Sequence, residues 1–88
     1  MINYANKTDR EIDLLVEAKY KPMSDLTLCQ QYCNSWADMG PIIQRKGIIV
    51  DGNGMAWTVV EDETYAHFTN CVGNPLRAAA IVYLKMGE

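Results

Sequence analysis

The sequence has no excess of basic residues, no long apolar run and no low-complexity stretch. Eight Lys and Arg stand against eleven Asp and Glu, for a net charge of −3, whereas nucleic-acid-binding domains usually carry a basic patch or stripe. No apolar run approaches the roughly 20 residues that a membrane-spanning helix needs, and the first residues have no secretory-signal pattern. We therefore expect no nucleic-acid partner, no membrane association and a cytoplasmic location.

Histidine and cysteine are scarce, with one His and three Cys. An odd number of cysteines cannot form a complete disulfide framework within one chain, which favours reduced thiols. Cys29, Cys33, His67 and Cys71 could supply four zinc ligands, but the His-Cys half has no familiar zinc-site spacing. Cys33 could act as a nucleophile beside His67, although no motif joins them. We expect no metal, no cofactor and no catalytic residue.

The 88 residues predict one domain, 1–88, with a single core and little room for a closed active site. Thr8 and Glu11 fit a capping box at the start of an amphipathic helix over 8–19. At the other end, Asn74 and Pro75 begin a helix that runs to about Met86. That last helix is apolar around much of its circumference, which indicates a buried helix and favours a homo-oligomer.

A second helix follows Asn34, but its first residue is ambiguous because Asn34, Ser35 and Asp38 are all good N-caps. Pro41 costs about 3 kcal/mol inside a helix and little in a first turn. The sequence therefore favours a turn at 34–38 and a helix over 39–46, while a cap at Ser35 would give a kinked helix.

The middle of the chain predicts a β-hairpin. Ile48–Val50 and Met55–Val60 flank an Asp-Gly and an Asn-Gly pair, a strong hairpin signal. Gly52-Asn53-Gly54 lacks the lysine of a phosphate-binding loop and is interpreted as a turn. After an acidic loop at Glu61–Glu63, a third, edge-like strand is expected over 64–68. The fold class is then α+β, with helices packed on a short antiparallel sheet.

Arg77 is unusual because it lies in the first turn of a helix, where the dipole disfavours a cation. It either pairs with an internal carboxylate, for which Asp38 is a candidate, or clamps an anionic ligand beside free helix amides. The aromatic residues leave two interpretations open as well. Trp36, Trp57, Tyr32 and Tyr65 could line a binding surface or fill the core, and the core is favoured for Trp57.

Two motifs, Tyr32–Ile43 and Asn74–Ala79, resemble the NinX family of small proteins of tailed bacteriophages and prophages. The resemblance covers most of the chain and includes these positions: Tyr32, Cys33, Asn34, Trp36, Asp38, Pro41, Trp57, Asn74, Pro75 and Arg77. It implies a phage accessory product acting in the cytoplasm of a bacterial host, and it supplies no catalytic residues. Cys29, His67 and Cys71 lie outside the family pattern.

The leading functional hypothesis is a non-catalytic sponge that sequesters a small anionic, nucleotide-type host signal to counter antiviral defence. Arg77 and Asn74 would hold phosphate, and Trp36, Tyr32 and Asn34 would hold the base. Asp38 completes this candidate ligand-binding set. The alternative is a protein–protein interaction module that inhibits or redirects a host protein.

Overall fold

A computed structural model describes residues 4–22, 29–59, 65–71 and 73–86, and these residues form an α+β fold. A short 3-10 helix at Tyr4–Asn6 precedes three α-helices and three β-strands. In chain order they are α1 (Asp9–Tyr20), α2 (Trp36–Lys46), β1 (Ile49–Asp51), β2 (Met55–Val59), β3 (Tyr65–Asn70) and α3 (Pro75–Lys85).

The first and last helices begin where the capping residues predict. The Thr8 hydroxyl accepts from the Glu11 amide at 3.1 Å, and a Glu11 carboxylate oxygen accepts from the Thr8 amide at 2.9 Å. The Asn74 side-chain oxygen accepts from the amide of Arg77 at 3.0 Å, with Pro75 at the first helical position. Both predictions are confirmed.

The prediction for α2 is wrong at its start. The helix begins at Trp36 with Ser35 as its cap, and the turn before it lies at 32–34, so Pro41 falls inside the helix. Asp38 does not cap the helix, because its carboxylate accepts from the amide of Gln31. The residues gained at the start, 36–38, are not buried, so burial does not explain the early start. The start is fixed by the Ser35 hydroxyl, which accepts from the Asp38 amide at 3.4 Å, and by the bond of the Asp38 carboxylate to Gln31.

The strands form an antiparallel sheet in the order β1-β2-β3. The predicted hairpin and third strand are confirmed, and β3 extends two residues beyond the expected end at Phe68. A register shift between Ala56 and Thr58 marks a bulge against β3. The expected end of the second strand at Val60, the acidic loop Glu61–Glu63 and Thr64 lie outside the described residues.

Helix α3 is the centre of the core. Eight of its eleven residues are buried, and it packs against α1, α2 and all three strands. Its apolar circumference is therefore covered within one chain, which removes this helix as a reason to expect an oligomer. In the described part of the chain, no helix is both long enough and apolar enough to span a membrane.

Candidate functional site

One side of α1 carries three carboxylates that the sequence analysis did not single out. Asp9, Asp13 and Glu17 follow each other at intervals of four residues, so they lie along one face of the helix. Asp13 and Glu17 are buried. Burying a carboxylate without a hydrogen-bond donor is costly, and Asp13 and Glu17 each accept from a donor. We call this set the acidic face of α1.

The segment that precedes α2 supplies the partners, with one donor for each turn of α1. The Tyr32 hydroxyl donates to Glu17 at 2.6 Å, the Cys33 amide donates to Asp13 at 2.8 Å, and the Asn34 side-chain amide donates to Asp9 at 3.4 Å. Three consecutive residues thus run antiparallel to the helix and contact three successive turns. The arrangement docks the segment before α2 on α1.

The pKa shifts of Asp13 and Tyr32 agree with these hydrogen bonds. Burial raises the pKa of Asp13, and the amide of Cys33 partly opposes that rise. Burial also raises the pKa of Tyr32, and its hydrogen bond to Glu17 raises it further, as expected for a hydroxyl that donates to a carboxylate. The sequence did contain a signal: carboxylates at i and i+4 beside the apolar stripe of α1 predict buried acids that need donors.

Arg77 does pair with an internal carboxylate, but the partner is Asp9 rather than Asp38. Its guanidinium donates to Asp9 at 2.7 Å and to the backbone carbonyls of Tyr4 and Lys7 at 3.2 and 2.5 Å. The Arg77 side chain is 15% exposed. Burial lowers the pKa of Arg77, but the hydrogen bond and the charge of Asp9 outweigh it and raise the pKa above its ordinary value. Arg77 therefore ties the start of α3 to the start of α1.

The expected ligand-binding residues are largely engaged in such internal bonds. Tyr32 is fully buried, Asn74 caps α3 and Asp38 accepts from the Gln31 amide. Trp36 differs, because it is 57% exposed at the first position of α2. The structure brings Asn34 and Arg77 together because both side chains donate to Asp9, and these hydrogen bonds are internal to the fold.

The surroundings of the three thiols disfavour the thiolate form. Burial raises the pKa of Cys29, Cys33 and Cys71, whereas a reactive cysteine needs a lowered pKa. Among the described residues, no three His, Cys, Asp or Glu side chains are grouped to hold a metal ion. The backbone of His67 lies in β3, and its side chain falls outside the described part of the chain.

An apolar surface crosses the sheet on the side that faces away from α3. Ile49 and Trp57 are direct partners across β1 and β2, so their side chains share a face, and the Trp57 ring stacks on that of Phe68 with centroids 6.2 Å apart. Ile49 is 41% exposed and Phe68 53% exposed. Ala56, adjacent to Trp57 in the strand, is buried on the opposite side. We call Ile49, Trp57 and Phe68 the outer sheet face.

Comparison of the chain with protein-family models, with curated proteins and with solved structures gives no match. Two features of the geometry bear on function: the network of internal bonds on α1 and the exposed apolar surfaces.

The bond between Tyr32 and Glu17 provides a direct test of the network. We expect Tyr32→Phe to lower the free energy of unfolding by about 1.5–3 kcal/mol, since it removes a hydroxyl that donates to a buried carboxylate. Urea unfolding followed by circular dichroism measures the change. The matched control is Tyr20→Phe, which keeps the ring contact with Tyr83 and whose hydroxyl has no hydrogen-bond partner among the described residues. Equal losses in the two variants would contradict a stabilising role for the Tyr32 bond.

Proposed function

We propose that this protein is a small non-catalytic binding module whose outer sheet face docks on another protein. In the setting that the NinX resemblance implies, that partner is a protein of the bacterial host, which the phage product inhibits or redirects. The observation that carries the proposal is the outer sheet face itself: Ile49, Trp57 and Phe68 form one apolar surface across all three strands.

The composition of this face is typical of the centre of a protein interface. Aromatic side chains are enriched at binding hot spots, and an apolar centre is usually surrounded by a polar rim. Met55 lies on the same strand face as Trp57, because side chains two residues apart in a strand point the same way. Its cross-strand partners Asp51 and Asn70 supply a polar border at one end of the face.

The charge of this polar border indicates which groups a partner surface would carry. Asp51 contributes a carboxylate to this border, where one oxygen accepts from the Asn53 amide at 2.8 Å, and the whole chain carries a net charge of −3. Complementary potentials accelerate and orient protein association. The matching partner surface therefore combines an apolar patch for Trp57 and Phe68 with basic or hydrogen-bond-donating groups at its edge.

The nucleotide-sponge hypothesis has less support from the geometry. A phosphate at Arg77 would have to compete with the carboxylate of Asp9, which already receives the guanidinium at 2.7 Å. It would also have to reach a side chain that is mostly buried. The side-chain oxygen of Asn74 already accepts from the Arg77 amide, which caps α3. We therefore favour the protein-binding function and keep nucleotide binding as an outcome of the experiment.

Site-specific photocrosslinking in bacterial cells tests the proposal. A benzophenone amino acid in place of Phe68 is expected to give one discrete adduct with a bacterial protein. The matched control carries the same amino acid at Leu15, which is exposed on α1, away from the sheet, and should give no such adduct. Adding Ile49→Asp to the Phe68 probe should abolish the adduct, because it places a charge in the apolar centre.

Two results would overturn the proposal. One is an adduct pattern that is the same from positions 68 and 15, or an adduct from 68 that survives Ile49→Asp. The other comes from calorimetry of the purified chain against a nucleotide panel. Micromolar binding that Trp36→Ala removes, with no adduct from position 68, would establish the sponge instead.

A further inference from the structure

Helix α2 has an outward side with no charge along its middle. Met39 and Ile42 lie in the core, while Trp36, Ala37 and Pro41 are exposed, as is Gln44. At 100° per residue, Ala37 and Gln44 lie along the centre of the exposed side, since seven residues make nearly two turns. The indole of Trp36, 57% exposed, stands at one end of this surface.

Two residues in the middle of α2 have a low helix propensity. Glycine and proline are the least favourable residues in a helix interior, and Gly40 and Pro41 occupy that place side by side. A Cβ atom added at Gly40 would meet no heavy atom of the described residues within 4 Å, its own helix backbone aside. The packing of the described residues therefore does not require glycine at position 40, and the absence of a side chain there leaves room for another backbone to approach.

The charges of α2 are arranged with opposite signs at its two ends. Asp38 lies in the first turn, and Arg45 and Lys46 lie exposed in the last turn. Asp38 and Arg45 are seven residues apart, so they share one edge of the helix, and Trp36 and Ile43 share the other edge for the same reason. An antiparallel copy of this helix would present a cation to each Asp38 and an apolar side chain to each Trp36.

We propose that α2 is the interface of a homodimer, in which it packs antiparallel against α2 of a second copy. The two-fold axis lies near Gly40 and Pro41, where the backbones approach most closely. Each Trp36 then lies against Ile43 of the second copy, and each Asp38 faces Arg45 of the second copy. The surface is self-complementary, and the antiparallel helix dipoles also attract.

The expected dimer is weak. An 11-residue helix is only about 16 Å long, so the buried area lies at the low end of specific interfaces. Sedimentation equilibrium of the full chain from micromolar to millimolar concentration should show a reversible monomer–dimer equilibrium. A purely monomeric chain at about 1 mM would overturn the proposal.

Three variants locate the interface. Trp36→Ala should raise the dissociation constant at least tenfold, because it removes the largest buried side chain from each copy. Arg45→Glu should raise it severalfold, with the loss decreasing at high salt, since it sets like charges opposite each other. The matched control is Arg10→Glu, the same charge change at an exposed site on α1, and it should leave the constant unchanged. Trp36→Ala or Arg45→Glu dimerising as tightly as this control would overturn the assignment to α2.

Dimerisation through the outer sheet face is the competing arrangement, and Phe68→Ala distinguishes the two. We expect this variant to dimerise as the wild type does. Loss of the dimer with Phe68→Ala, and its retention with Trp36→Ala, would move the interface to the sheet and contradict the proposal.

Disulfide trapping tests the antiparallel direction. Positions 37 and 44 face each other across the proposed axis, so a mixture of Ala37→Cys and Gln44→Cys chains should give an oxidised dimer that neither variant gives alone. The wild-type chain, with its three native thiols, provides the background level. Efficient dimers of Ala37→Cys alone would indicate parallel helices and overturn the antiparallel arrangement.

Discussion

Replacing Gly54 with alanine is expected to lower the free energy of unfolding by about 3–5 kcal/mol, the range of a severe single-residue change. Gly54 has a φ of 108°, which L side chains rarely adopt, and an added Cβ would collide with the backbone carbonyl of Cys71. A backbone atom cannot move aside as a flexible side chain can. The strain of the positive φ therefore adds to the clash.

The position of Gly54 makes the damage extend beyond the hairpin. The Gly54 amide donates to the carbonyl of Asp51 at 2.9 Å, and its carbonyl accepts from the amide of Cys71 at 2.7 Å. The amide of Gly73 donates to the carbonyl of Asn53 in the same turn. The hairpin turn thus holds the chain between β3 and α3, and a shift at Gly54 would displace the start of α3.

Urea unfolding of Gly54→Ala beside Gly52→Ala measures this effect. Gly52 lies in the same turn, but an added Cβ there meets no heavy atom in the described part of the chain within 4 Å, so its variant should remain within about 0.5 kcal/mol of the wild type. A Gly54→Ala variant that shows no cooperative unfolding transition would also support the prediction, since it would mean that the substitution prevents folding. Equal stability of the two variants would show that the turn relaxes away from Cys71 at little cost.

The parts of the fold that the sequence predicts correctly are those with local causes. The capping box of Thr8 and Glu11 and the Asn74-Pro75 start lie within four residues of the helices they begin. The Asp-Gly and Asn-Gly pairs likewise bend the chain between adjacent strands. Such features are visible in a short window because both interacting groups lie inside it.

The start of α2 could not be predicted in this way, since local and tertiary terms conflict. Pro41 argues for a helix that begins late, whereas the bonds of Ser35 and Asp38 stabilise a helix that begins at Trp36. The residues before the helix are held in place by the bonds of Tyr32 and Cys33 to α1, which the segment alone does not reveal. These bonds outweigh the low helix propensity of Pro41.

The candidate site was hard to predict because its partners are distant in sequence. Tyr32 lies 15 residues from Glu17, Cys33 lies 20 residues from Asp13, and Arg77 lies 68 residues from Asp9. The sequence did indicate that Arg77 in a first turn needs an anion. It could not indicate which of the eleven acidic residues supplies it, because that depends on how α1 packs against α3.

Arg77→Ala has the second large expected effect, a loss of about 2–4 kcal/mol of unfolding free energy. The variant removes a mostly buried guanidinium that donates to Asp9 and to the carbonyls of Tyr4 and Lys7. A carbonyl or carboxylate left without its donor costs about 1–3 kcal/mol when it is buried. Asp9 is 43% exposed, so water compensates part of its loss and keeps the total below the cost of a fully buried pair.

A double-mutant cycle of Arg77→Ala and Asp9→Ala separates the ion pair from the rest. We expect a coupling of about 1–2 kcal/mol, with the remaining loss due to the two carbonyls. Arg77→Lys should recover less than half of the stability, because one ammonium group cannot reach three acceptors as a planar fork does. Arg10→Ala, at an exposed position on α1, is the control and should change stability by less than about 0.5 kcal/mol. The outcome for Arg77 also bears on function. If Arg77→Ala were as stable as this control, the fold would not need the guanidinium, and binding of an anionic ligand would again be the best explanation for Arg77. A large loss coupled to Asp9 would instead leave the exposed aromatic surfaces, centred on Trp36 and Phe68, as the places where this protein binds.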